Sequence, residues 1–86
     1  MKHATHPGIV VRLKRAHGHL ASVISMFEEG RPCLDLAQQL HAVESAVSNA
    51  KRELIHDHIE NCLDERGDRA GQRETLKEFK ALAKYL

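Results

Sequence analysis

The sequence predicts an all-α protein. Its protomer is three helices, and the two long ones fold as an antiparallel hairpin that pairs with a second copy into a four-helix bundle. Three observations carry this. The stretch between Pro32 and Gly67 contains neither glycine nor proline. Within it Leu36, Leu40, Val43, Val47, Ala50 and Leu54 recur at alternating spacings of four and three, the seam of a helix packed against other helices. Composition agrees: aromatic residues make up 3% of the chain, while the good helix formers Leu, Ala, Glu, Lys and Arg are abundant.

Each element follows from its own residues. Residues 1–7, MKHATHP, lack apolar periodicity and are expected to form a flexible tail. From Gly8 the four–three alternation returns at Ile9, Leu13, Ala16, Leu20, Val23 and Phe27, which gives a first helix over 8–29. Gly30 suits the left-handed position that ends a helix. Gly18 lowers helix stability by roughly 1 kcal/mol against alanine, which points to close packing there. The turn Gly30–Arg31–Pro32 is short enough to allow only an antiparallel hairpin. Pro32 suits a first helical turn, where its missing N–H would have had no partner, and Gly67 suits the stop of a second helix over 33–66. This helix outruns the first by about a dozen residues, or roughly 18 Å. Leu54, Ile55, Ile59 and Leu63 at its far end therefore need cover from the last helix or from another chain. Residues 67–71, GDRAG, read as a loop, and Leu76, Phe79 and Ala83 place a short amphipathic third helix over 72–85, capping a dimer of hairpins.

Eighty-six residues make a single domain with a modest core, and oligomerisation is a common remedy at this size. No apolar run approaches the roughly 20 residues of a membrane span, and no signal-peptide pattern opens the chain. Two cysteines in such a context read as reduced thiols of a cytoplasmic protein. The net charge is only +1, but it is polarised. Residues 1–20 carry Lys2, Arg12, Lys14 and Arg15 with no acid, whereas residues 53–68 carry Glu53, Asp57, Glu60, Asp64, Glu65 and Asp68 against Arg66. A chain polarised in this way can bind a polyanion on one face while near neutral overall, although a solvated face explains the same pattern. A helix-turn-helix reader is excluded, because the long middle helix does not fit a short recognition helix presented across a tight turn.

Two cysteines and a histidine suggest chemistry. Cys33 opens the second helix, and His58 and Cys62 stand near its end, four residues apart and so on one face. Along a continuous helix Cys33 lies about 37 Å from His58, so one chain cannot close a site from all three. Two antiparallel copies can, because the start of one helix then lies beside the end of the other. Two thiolates and one imidazole suit Cu(I), or Zn(II) with a fourth ligand. Small buried thiols and a polar residue at a helix end would account for the same positions without function. His3 and His6 in the tail could reach a metal, though such tails more often carry histidines that bind nothing. His56 lies about 200° around the helix from His58 and faces elsewhere. His41 flanks the seam residue Leu40, and His17 and His19 sit among the basic residues of the first helix, toward solvent or phosphate. A Cys62–His58 nucleophile pair would come without oxyanion donors, nucleophile elbow or phosphate loop, so no enzyme is expected.

The segments RLKRAHGHL (12–20), EEGRPCLDLAQQLHAVESAV (28–47) and HDHIENCL (56–63) resemble the CsoR/RcnR family of all-helical bacterial repressors, which sense metal ions, formaldehyde or sulfane sulfur. The resemblance covers nearly the whole chain. It implies a tetramer, a dimer of dimers, that binds operator DNA and is released by an inducer. The cysteine–histidine–cysteine set of Cys33, His58 and Cys62 is similar to that of the copper-sensing branch, which makes Cu(I) the implied inducer. A reactive-sulfur sensor bridging Cys33 and Cys62 is the alternative, followed by a nickel or cobalt sensor, in which an N-terminal histidine such as His3 or His6 joins the site. The family's DNA-contacting basic residues correspond to Arg12 and Arg15, with Lys14 beside them and Arg52 on the second helix. Its coupling glutamate on the third helix matches Glu78. Pro32 stands where copper sensors usually carry tyrosine, and Glu44 where the family often has arginine. A small helical metal buffer that never binds DNA is the contrasting class, and the cluster Arg12, Lys14 and Arg15 argues against it.

Overall fold

The computed structural model describes the backbone of residues 6–65 and 69–86, and the side chains of these except residues 61–72 and Thr75. Three helices follow in order: α1 (His6–Glu28), α2 (Cys33–Glu65) and α3 (Arg69–Ala83). Among the described residues there is no strand, and no helix is long and apolar enough to cross a membrane. The expected all-α class is the observed one.

The helix ends differ from expectation in instructive ways. α1 begins at His6, so His6 and Pro7 belong to a helix and not to a tail. Proline is well suited to a first turn, whose N–H groups have no intrahelical partner. Residues 1–5 lie outside the described residues. At the other end Gly30 has φ +73°. Its N–H bonds Phe27 O at 3.1 Å and the Arg31 N–H bonds Met26 O at 3.1 Å. These paired bonds satisfy carbonyls of the last turn and reverse the chain. Pro32 is one position earlier than expected, as the cap whose carbonyl accepts from Leu36 N at 3.1 Å, and Cys33 is the first helical residue. α3 starts at Arg69 and takes in Gly71, part of the expected loop. A glycine in a first turn displaces no intrahelical bond, so good helix formers at Arg69 and Ala70 can lead into it. α3 ends at Ala83, earlier than the expected residue 85, where Tyr85 N and Leu86 N turn to the Leu82 and Ala83 carbonyls at 2.9 and 3.3 Å.

α1 and α2 form the antiparallel hairpin, with His6 opposite Asp57, Arg12 opposite Glu53 and His19 opposite Gln39. Each heptad seam is split between two rows. Ile9, Ala16 and Val23 on α1 and Leu36, Val43 and Ala50 on α2 are buried between the helices. The intervening row, Leu13, Leu20 and Phe27 with Leu40, Val47 and Leu54, is 40–52% exposed. α3 packs on the far end of α2, where Ile55 is buried while Leu54 stays partly open. The molecule measures 58 × 23 × 13 Å. The close packing expected at Gly18 is absent among the described residues, since a Cβ built there meets nothing within 4 Å.

Candidate functional site

His58 projects from α2 toward α3, and its Nε2 lies 2.7 Å from Oε2 of Glu78. Leu54, Ala81 and Leu82 complete an open pocket of about 400 Å³ around the pair. A carboxylate only accepts hydrogen bonds, so Nε2 carries the proton and donates. That fixes the tautomer and makes Nδ1 the nitrogen whose lone pair a metal ion would take. The ligand candidate and the coupling candidate, assigned separately from the sequence, meet here.

Cys33 is an exposed free thiol at the opposite end of α2. Because α2 is unbroken, about 37 Å separates it from His58. Cys62 lies on α2 one turn beyond His58, and its side chain is outside the described residues. Among the described residues no three His, Cys, Asp or Glu side chains are grouped to hold a metal ion. The chain brings His58 and Glu78 together and keeps Cys33 apart from them.

His3 lies outside the described residues. His6, at the start of α1, comes within 3.6 Å of the Asp57 carboxylate, which is 2% exposed. The sequence reading missed Asp57, although a signal exists. It follows Ala50 by seven residues and so continues the buried row Leu36, Val43, Ala50. His6, the first residue of α1, is thereby brought to the α2 turn that carries His58.

The basic residues divide. Arg12 forms an ion pair across the hairpin with Glu53. Arg12 and Arg15 line an open groove of about 310 Å³ between α1 and α2, with Ala16, His19, Ala46 and Asn49. Lys14 is exposed beside this groove without lining it. Arg52 donates to Asn49 Oδ1 at 3.4 Å and lines a second shallow depression with Glu44, Ser48 and Lys51. His19, expected in solvent or on phosphate, instead bonds Gln39 Oε1 through Nε2 at 2.7 Å. No periodicity marks that contact in the sequence. His17, His41 and His56 are exposed, as expected.

A family model described as metal-sensitive transcriptional repressor matches residues 5–85. The copper-sensing transcriptional repressor CsoR of Mycobacterium ulcerans (strain Agy99) is 44% identical over 64 residues, 69% of this chain and 55% of that protein. CsoR of Bacillus subtilis (strain 168) is 36% identical over 55 residues, 64% of this chain and 54% of its own length. The matched stretch thus spans about half the length of these relatives. Among solved structures, the nickel-responsive transcriptional regulator InrS superposes with a TM-score of 0.84 at 28% identity, covering 100% of this chain and 98% of InrS.

Proposed function

This chain belongs to the family of metal-sensitive transcriptional repressors, and we propose that it holds operator DNA until Cu(I) occupies a site between subunits, formed by Cys33 of one copy and His58 and Cys62 of another. The observation that carries this reading is the 2.7 Å contact between His58 Nε2 and Glu78 Oε2. It presents Nδ1 of a oriented imidazole and ties that imidazole to a different helix. When bound, Cu(I) supplies a soft centre that takes thiolate and imidazole donors. His58 and Cys62 stand four residues apart on α2, a spacing that puts them on one face, and Cys33 of an antiparallel partner would complete the set.

The exposed surface also supports pairing with a second copy. A compact monomer of this mass exposes about 5,100 Å², whereas this chain exposes 6603 Å². The exposed row Leu13, Leu20, Phe27, Leu40, Val47 and Leu54 supplies a ready second layer for an antiparallel four-helix bundle. Two such dimers make the tetramer.

DNA is held by Arg12, Lys14, Arg15 and Arg52, with affinity mainly electrostatic and sequence read partly through DNA shape. Because α3 is tied to α2 through His58–Glu78, a ligand on His58 is felt by α3. A ligand that favours a conformer with weaker DNA affinity is in turn weakened by DNA, by the same factor. A regulator and not an enzyme is what membership of the family supports.

Nickel or cobalt sensing is the second reading. It is favoured by His6 lying against Asp57, next in sequence to His58, and by the likeness to nickel-responsive InrS. The test uses a DNA duplex that the wild-type protein selects from a randomised pool. Stoichiometric Cu(I) under reducing conditions should release the protein from it. Protein that stays bound with Cu(I) and leaves with Ni(II) would favour the second reading. Failure to select any duplex at physiological salt would leave a metal buffer.

A further inference from the structure

The ion pair between Arg12 and Glu53 places an acid on a residue of the DNA face. Among the described residues, Lys14, Arg15 and Arg52 form no ion pair, so Arg12 differs from the other three cations in having a carboxylate already seated on it. The groove beside the pair brings two guanidinium groups to one edge. Arg12 and Arg15 lie along it with Asn49 and His19, and the small side chains of Ala16 and Ala46 complete its lining. Glu53 stands one helical turn beyond Asn49 on the same helix. A guanidinium donates its N–H groups to a carboxylate or to a phosphate in the same geometry, and an adjacent carboxylate both occupies a donor, here Nη1, and repels an incoming phosphate.

We propose that this groove seats a backbone phosphate of the operator and that Glu53 is the internal counter-ion which the phosphate displaces from Arg12. Glu53 thereby sets how tightly the repressor holds DNA. The proposal rests on the reading that Arg12 faces DNA. The magnitudes favour exchange. The side chains of Arg12 and Glu53 are 57% and 32% exposed, so the pair is screened by solvent and weak. A phosphate brings more charge, and its neutralisation releases condensed counterions from the duplex. Glu53 is neither a ligand of the proposed metal site nor part of the His58–Glu78 contact. It acts on the resting affinity for DNA, whichever inducer the protein senses.

The test is a double-mutant cycle on the full chain, read as affinity for the selected duplex without inducer. Glu53→Gln should tighten binding by about two- to fivefold, the range expected from removing a weak surface pair. Arg12→Ala alone should weaken binding and lower its salt slope by about one. In the Arg12→Ala background, Glu53→Gln should change affinity by less than about twofold, because the cation it masked is gone. Glu53→Asp, which keeps the charge and withdraws it by one methylene, should tighten binding in the same direction by less. Equal tightening by Glu53→Gln with and without Arg12 would reduce Glu53 to general repulsion and overturn the proposal. Unchanged affinity in Glu53→Gln alone, with Arg12→Ala still impaired, would overturn it while leaving the DNA face in place. Unchanged affinity in Arg12→Ala would remove Arg12 from the DNA face, and the proposal with it. Loss of helicity or altered sedimentation in both Glu53 variants would make the pair a structural tie and equally overturn the proposal.

Discussion

His58 Nε2 and Glu78 Oε2 lie 2.7 Å apart and join the middle helix to the last. The contact orients the imidazole and gives α3 a direct link to whatever binds there. Removing Glu78 should therefore separate binding from signalling. In Glu78→Ala, Cu(I) should still saturate the site, with affinity lower by about tenfold for loss of the orienting partner. The coupling between inducer and DNA, ordinarily about 1–3 kcal/mol in such systems, should fall by roughly half or more. Copper and duplex affinities measured on the same preparation give both numbers. Coupling equal to wild type would send the signal by another route.

The split heptad makes assembly testable. Leu40 is 42% exposed in the protomer and lies on the unpaired row, so the hairpin itself tolerates a polar residue there. In the proposed dimer the same position is buried, once from each copy. Leu40→Glu should weaken self-association by roughly a thousandfold, about 4 kcal/mol for two carboxylates removed from water without partners. Sedimentation at micromolar concentration should show wild type as a dimer or larger and the variant as a helical monomer. A wild type that sediments as a folded monomer would end the intersubunit site.

Arg15 separates the proposed DNA face from the proposed metal site. It lines the interhelical groove and carries no ion pair among the described residues. Arg15→Ala should weaken duplex binding several-fold and flatten its salt dependence by about 0.9 for the lost phosphate contact. Affinity for Cu(I) should stay as in wild type, since Arg15 has no part in the proposed ligand set. Full duplex affinity in this variant would place the DNA face elsewhere.

What the sequence makes legible follows from what repeats. Leu36, Val43 and Ala50 recur every seven residues, and so do Leu40, Val47 and Leu54. Both rows are apolar, and only the packed hairpin shows which is closed and which is left open. Asp57 belongs to the closed row, but a carboxylate does not announce burial when hydrophobicity is the signal sought. The contacts Arg12–Glu53, His19–Gln39 and His58–Glu78 depend on the rotation and register of two helices, which no local pattern encodes. Pro7 is expected in a tail and Gly71 in a loop, yet each stands in a first turn, where a missing donor or a flexible residue disturbs little. Cys33 and His58 are named by residue type and by their distance along one helix. The carboxylate beside His58 enters the sequence reading only through resemblance.

The inducers are separated by His58 itself. A site of two thiolates and one imidazole depends on that imidazole, whereas a sulfur bridge between Cys33 and Cys62 needs only the thiols. His58→Ala should lower Cu(I) affinity by several orders of magnitude, because one of three ligands is gone and Glu78 loses its partner. The same variant should still leave the duplex after treatment with a persulfide donor, more slowly if the imidazole helps deprotonate a thiol. A nickel or cobalt response should instead fail when residues 2–6 are deleted, since His6 stands at the α2 turn that carries Asp57 and His58. That deletion should spare the response to Cu(I). Duplex release by each inducer, measured in wild type, His58→Ala and the deletion, gives three distinct patterns. Wild-type protein that holds its duplex with stoichiometric Cu(I) and releases it after persulfide treatment would overturn the copper reading. His58 would then act on the reactivity of the thiols, with Glu78 orienting the base and no metal bound between them.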